Sequence, residues 1–366
     1  MNDTVNDSLQ KKYQQLSTLI EMASLISSTL DTREIRRRAI EAATRLADAE
    51  TGSLLLVDCE TGELFFEVAL GDREGVLKEM RLAKGQGIAG AVAASGEPAI
   101  VNDVRSDPRF FEGADEKSLF QTKSMLCVPV MTKERVIGVL QAINKREGLF
   151  DEDDREVLSA LANQVAVAVE NANLYQQLKE TFYETAEALA ETIEKRDPYT
   201  GGHTRRVMKY SIATGEMMGL SGKELEDLKL AAILHDIGKI GVRDNILLKQ
   251  GRLDEDEMKL MSRHTEHGAE ILGHIKELKD SIPGVRSHHE KYDGSGYPDN
   301  LKGEEIPLIA RIIAVADTFD AMTHDRPYRK GLSVETAFNE LNRHKGKQFD
   351  GRAVEFFMRA FRGKEF

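Results

Sequence analysis

LAAILHDIGK, residues 230–239, sets a charged pair into a run of aliphatic residues. Leu230, Ala231, Ala232, Ile233 and Leu234 read as a buried helix, so His235 and Asp236 arrive where an unpartnered charge is costly. A metal cation answers that cost, because neutral imidazole donates nitrogen and a carboxylate can bridge two ions. Lys239, one turn beyond His235, is expected on the same helix face with its ammonium toward the same place. A lone His-Asp dipeptide arises often by chance; its surroundings carry the weight.

All nine histidines of the 366-residue chain lie beyond residue 200. Structural histidines do not segregate in this way, so several of them share a task. Thr200-Gly201-Gly202-His203 opens a helix before Arg205-Arg206-Val207, and His264 precedes Gly268-Ala269 on another. His288-His289-Glu290 leads into Lys291-Tyr292-Asp293-Gly294-Ser295-Gly296-Tyr297-Pro298, and Asp317 closes the apolar run Ile312 to Ala316. Arg205 and Arg206 read as surface charges on a helix or as substrate contacts, and His267, His274, His324 and His344 as outer or solvated residues.

The first half has a different grain. Leu9, Tyr13, Leu16, Ile20, Ala23 and Leu30 mark one face of a helix, and Asp31 offers a cap for a second that contains Ile35, Ile40 and Leu46. Strand-like runs follow at Thr51–Val57, Leu64–Leu70, Pro98–Val101, Met125–Met131 and Val136–Asn144, joined mostly by hairpin turns such as DCETGE. Between them GQGIAGAVAASGEP reads as a short helix of small residues close to a sheet. The pattern predicts an α+β domain on an antiparallel sheet flanked by helices. From Asp151 a long helix is expected, with Leu158, Leu161, Val165, Ala168, Ala172, Tyr175, Phe182, Ala186, Leu189 and Ile193 forming a heptad seam for a parallel coiled-coil dimer. Lys179 interrupts the seam, and Asp197-Pro198 ends it.

Gly85-Gln86-Gly87-Ile88-Ala89-Gly90, the Pro98 strand with Asn102-Asp103, Val128-Pro129-Val130 and Gly138-Val139-Leu140-Gln141 together resemble a GAF domain over about residues 17 to 172. The resemblance implies a small-molecule sensor and dimerisation module. Some cyclic-nucleotide-binding members carry an Asn-Lys…Phe…Asp-Glu signature; here stand Asn144-Lys145, Phe150 and Asp154, with Arg155 in place of the Glu. The favoured reading is a core-forming dimer scaffold whose ligand is unknown or absent.

The histidine-bearing half resembles the HD-GYP family of bacterial cyclic di-GMP phosphodiesterases, from about residue 184 to 363, through Asp325-Arg326-Pro327-Tyr328-Arg329 to Lys347-Gln348-Phe349-Asp350. The resemblance implies an all-α HD-type metallohydrolase domain in which His203, His235, Asp236, His264, His288, His289 and Asp317 are metal ligands, Asp236 bridging two ions. It implies that Lys239 contacts the scissile phosphate, that Arg326 and Arg329 hold phosphates, and that Tyr297 lines the substrate region or meets a protein partner such as a diguanylate cyclase domain. Iron or manganese is the expected metal. Members with three metals place a Glu four residues before the first His; Tyr199 stands there, so two ions are expected and a tyrosine-lined third site is the alternative. The implied reaction has a bridging hydroxide attack phosphorus in line, giving linear pGpG or, after a second cut, GMP. A non-catalytic cyclic di-GMP receptor and a hydrolase of a related cyclic dinucleotide are the competing readings, and retention of every expected ligand weighs against the receptor.

Composition bounds the rest. A net charge of −12 disfavours nucleic-acid polymers and anionic membranes as partners. The polar start lacks the basic segment and apolar core of a signal peptide, and no run of 18 apolar residues occurs, so a cytoplasmic protein is expected. Cys59 and Cys127 read as reduced core residues. The expected organisation is a GAF-like domain over residues 1–172, a coiled-coil signalling helix over 153–196 and an HD-GYP phosphodiesterase domain over 184–366.

Overall fold

A computed structural model describes residues 2–58, 60–69, 80–118, 120–133, 135–196, 202–325 and 330–362, the side chains of 2–9, 11, 12, 67–69 and 118 apart. Internal contacts divide the chain into two units, Met1–Leu178 and Lys179–Phe366.

In the first unit, helices α1 (Asn2–Ser27) and α2 (Thr32–Leu46) precede a sheet of β1 (Ala49–Val57), β2 (Leu64–Ala69), β3 (Arg81–Leu82), β4 (Ala99–Val101), β5 (Met125–Met131) and β6 (Val136–Lys145). The strands lie in the order β3-β2-β1-β6-β5-β4, every neighbouring pair antiparallel. Asp31 caps α2, its carboxylate accepting the N–H groups of Arg33 at 2.8 Å and Glu34 at 3.2 Å; such a cap contributes about 1 kcal/mol. The period of two then sorts the sheet's residues. Leu54, Leu126 and Leu140 face the helices, against Ile26, Ile40, Leu158 and Leu161, whereas Leu55, Cys127 and Val139 face the other side with Ile88 and Val92. Ile88 and Val92 belong to α3 (Gly87–Ser95), the small-residue helix expected there. The strand β3 and the short helix α4 (Gly113–Ser118) were not anticipated, since two residues cannot display a period and GADEKS has no apolar stripe.

Three residues of the nucleotide signature, Lys145, Phe150 and Asp154, are tied together. Lys145 pairs with both Asp154 oxygens at 2.6 Å and stands 5.5 Å from the centre of the Phe150 ring. Asn102 holds the Phe150 backbone on both sides, at 2.9 and 3.0 Å, and Asn144 Oδ1 accepts the Lys123 N–H at 2.7 Å. A depression opens on the α3 side, lined by Leu55, Phe66, Ile88, Phe111 and Met125 with Gln141 as a polar group.

Helix α5 (Glu152–Glu194) buries part of the expected heptad seam within its own chain. Leu158, Leu161, Val165, Ala168 and Ala172 are buried in the core of their own unit, and Ala186 and Ile193 are buried further along. A helical period reports that a face is covered and not what covers it. The apolar residues this stretch leaves exposed are Val167, Leu174, Tyr175, Leu178 and Leu189.

The second unit is helical, with α6 (His203–Met217), α7 (Gly222–Leu234), α8 (Asp244–Leu247), α9 (Glu255–Ser262), α10 (His264–Leu272), α11 (Ile282–Ser287), α12 (Leu308–Thr323), α13 (Val334–Arg343) and α14 (Gly351–Phe361). Its centre is α12, whose Ile312, Ile313, Val315, Ala316 and Phe319 are fully buried. Tyr210 and Phe357 meet Phe319 at ring separations of 5.5 and 4.9 Å, and this aromatic cluster locks α6, α12 and α14 together. No helix among the described residues is long and apolar enough to cross a membrane.

Candidate metal centre

Helix α7 ends at Leu234, so His235 and Asp236 lie at its C-terminal end rather than within it. Asp236 leaves helical geometry and a 3₁₀ turn follows over Ile237–Gly241. The expected face shared by His235 and Lys239 is corrected accordingly: in a 3₁₀ turn residues three apart eclipse, and Lys239 meets Asp236, with Nζ 2.6 Å from Oδ2.

Six of the seven expected ligands gather into two donor sets that share Asp236. His203, His235 and Asp236 form one; Asp236, His264, His288 and His289 form the other; the donor atoms within each lie within 4.8 Å of one another. Asp236 turns one oxygen to each set: Oδ2 lies 3.4 Å from His235 Nε2, and Oδ1 lies 3.5 Å from His264 Nε2. His264 Nε2 is 3.4 Å from His288 Nε2. Asp317, the seventh, lies outside both sets but approaches the first from α12, with Oδ1 3.3 Å from His203 Nε2. Tyr297 leans over His289, ring centres 5.0 Å apart. Arg326, Arg329 and Tyr199 fall outside the described residues.

The Nδ1 atoms explain the aim of the rings. His235 donates Nδ1–H to the Ala232 carbonyl at 2.8 Å, His264 to Met261 at 2.8 Å and His288 to Val285 at 2.7 Å. Each acceptor is a carbonyl from the last turn of a helix, where the regular i to i+4 ladder runs out. The remaining Nε2 lone pairs face inward, and buried His235 Nε2 has no hydrogen-bond partner among the described residues. An orphaned buried nitrogen beside a carboxylate and further imidazoles fits a divalent cation.

Electrostatics favour the neutral form at three of the imidazoles. Burial pushes His289 down to about 3 and holds His264 and His288 below the ordinary imidazole value. His235 goes the other way: burial opposes its cationic form, yet the Asp236 carboxylate, with a smaller pull from Asp317, raises it to about 9. With protein groups alone around it, a proton there stands where a cation would bind. Burial also opposes the charge on Asp236, but Lys239 and His235 hold it well below the usual carboxylate range.

Backbone contact sets the spacing. A Cβ on Gly238 would lie 1.9 Å from the His264 carbonyl oxygen, so only glycine lets the turn after Asp236 reach α10. The last turn of α5 is tied in as well: the Glu194 carboxylate accepts the Thr204 N–H, while Arg196 reaches the carbonyls of Ile240 at 3.1 Å and Val242 at 3.4 Å and Asp244 Oδ1 at 2.6 Å.

Family models match both units. Residues 29–170 fit the GAF domain and residues 187–353 the HD domain. A stretch similar to the GAF domain thus precedes a stretch similar to the HD domain, each under half of the chain. A protein of Vibrio cholerae named 3′3′-cGAMP-specific phosphodiesterase 2 is 38% identical over 211 residues, covering 57% of this chain and 40% of its own length. A cyclic di-GMP phosphodiesterase response regulator of Xanthomonas campestris is 42% identical over 50% of this chain and 49% of its own. A cyclic di-GMP phosphodiesterase of Thermotoga maritima is 41% identical over 50% of this chain and 51% of its own. The chain thus spans about half the length, or less, of these relatives.

Two residues of the second unit that matter to this geometry escaped sequence reasoning. Asp320, 2% exposed, accepts His203 Nδ1–H at 2.7 Å and pairs with Arg206 at 2.6 Å. Arg206 is therefore engaged with α12, whereas Arg205 reaches Glu191 of α5 at 2.9 Å. Asp320 had a signal, a second carboxylate three residues after Asp317 on an apolar helix. Buried Glu290 accepts the N–H groups of Asp299 at 2.7 Å and Leu301 at 3.1 Å, tying the loop that carries Tyr297 to the end of α11. Its signal was its place directly after two histidines.

Proposed function

We propose that the HD domain is a metal-dependent phosphodiesterase that hydrolyses a 3′–5′ linkage of cyclic di-GMP, giving pGpG or, with a second cut, GMP. The observation that carries this reading is Asp236 offering one oxygen to each of two histidine-rich donor sets. Two divalent ions held there, iron or manganese for a His-rich set with a bridging carboxylate, supply Lewis acidity and a water acidified toward neutral pH. His203, His235 and Asp317 would hold one ion and His264, His288 and His289 the other, with Asp236 available to both. The Lys239 ammonium balances charge that develops on a non-bridging phosphoryl oxygen. The Tyr297 ring offers an aromatic surface to a purine base. In the net reaction water oxygen bonds to phosphorus, the bond to the 3′-oxygen breaks, and that oxygen leaves with a proton.

A second reading, hydrolysis of 3′3′-cGAMP, has its support in the name of the Vibrio cholerae relative. Incubating the metal-loaded chain with each cyclic dinucleotide and separating the products by chromatography discriminates the two. Linear product from cyclic di-GMP is expected, and its absence with both iron and manganese refutes the first reading. His235→Ala and Asp236→Ala are expected to abolish turnover.

The GAF domain is, in this proposal, a regulatory and dimerising module acting in the bacterial cytoplasm, where the substrate is found. The dimer contact falls on Val167, Leu174 and Leu178, which are 51%, 56% and 69% exposed and spaced as a heptad stripe.

A further inference from the structure

Four histidines of the centre have Nδ1 bound, and one of them differs in kind. His235, His264 and His288 each use a main-chain carbonyl three residues earlier. His203 uses a side chain, Asp320 Oδ2 at 2.7 Å. That carboxylate is buried and held from behind: Arg206 Nε lies 2.6 Å from Oδ1, Arg206 Nη2 3.0 Å from Oδ2, and His324 Nδ1 3.1 Å from Oδ1. Asp317 and Asp320 stand three apart on α12 and so share a face, which lets one helix address both nitrogens of the His203 ring.

A carbonyl fixes a tautomer, whereas a carboxylate also pushes electron density into the ring and strengthens it as a ligand. We propose that Asp320 is a positioning residue that fixes His203 as an Nε2 donor and makes the His203–His235–Asp236 position the tighter of the two metal positions, with Arg206 keeping the carboxylate in place. This rests on the metal-centre reading above and not on the choice of substrate.

The test uses the full chain stripped by chelation and titrated with Mn²⁺, with free ion followed by electron paramagnetic resonance. The wild type is expected to bind two ions with separate affinities. Asp320→Asn is expected to weaken the tighter step by about 10–100-fold and leave the weaker one in place. In ¹⁵N-histidine spectra, the downfield Nδ1–H signal of His203 is expected to vanish in Asp320→Asn and to return, with the affinity, in Asp320→Glu. Two unchanged affinities in a folded Asp320→Asn overturn the inference. Should that variant fail to fold, Arg206→Lys replaces it: a smaller loss confined to the tighter step supports the proposal, and unchanged binding overturns it. A wild type that binds two ions but cleaves no cyclic dinucleotide refutes only the substrate reading, whereas one that binds no divalent ion refutes both.

Discussion

Substituting Gly238 by alanine tests the centre through its spacing and leaves every donor in place. The added methyl carbon would sit 1.9 Å from the His264 carbonyl oxygen and 2.4 Å from the Gly268 nitrogen. Both are main-chain atoms of α10, so no rotamer change relieves the clash. Ordinary contact begins near 3.4 Å, so the turn and α10 must separate by about 1.5 Å. Metal-ligand distances tolerate only about 0.2 Å. The set formed by Asp236, His264, His288 and His289 should therefore lose its ion, while His203, His235 and Asp236 keep theirs. Overpacking costs about 1–3 kcal/mol, and a clash with backbone belongs at the upper end. Against a typical stability of about 5–15 kcal/mol the chain still folds. Metal analysis of the purified variant should find one ion per chain where the wild type holds two, with a lowered melting temperature. Two ions per chain and an unchanged melting temperature would refute the reasoning.

Other expectations follow from the same geometry. Lys239→Met should retain both ions and lose about 10²–10³-fold in kcat, as removal of a charge-stabilising donor does; unimpaired turnover would remove Lys239 from the mechanism. Glu290→Ala leaves the Asp299 and Leu301 N–H groups without their acceptor, so chemical denaturation should show a loss of about 2 kcal/mol together with a raised KM. Burial pushes the Cys127 thiol up to about 12, so at pH 8 it is neutral and should resist iodoacetamide until the protein is unfolded, as peptide mass spectrometry would report. Alkylation of Cys127 in the native protein would contradict its burial between β5 and the α3 side. Replacing Leu174 and Leu178 together by Asp should shift sedimentation toward a monomer, and an unaltered dimer would place the contact elsewhere.

Much of the fold was readable because its periods are local. The Asp31 cap, the alternation in β5 and β6, and the small-residue helix all follow from neighbours in the chain. What covers a face is a long-range fact, which is why the Leu158–Ala172 stripe was assigned to a partner chain when it meets Ile26 and Leu54 of its own. The ligand residue types were readable from their segregation and motif, but their convergence was not. It depends on α7, α10 and α11 each ending or beginning at one point, and on Gly238 permitting backbone contact. The helix end at Leu234 was disguised by Ile237, which prolongs the aliphatic run past the true boundary. Asp320 was passed over because an acidic residue on a helix is most often a solvated one, and only the approach of His203 and Arg206 reveals its burial.

The grip of Glu194 and Arg196 has a mechanical corollary. Both side chains stem from the end of one helix, yet one holds the residue next to His203 and the other holds the segment just after Lys239. One helix end therefore braces the two flanks of the centre together, and neither side chain can be removed without freeing one flank from the other.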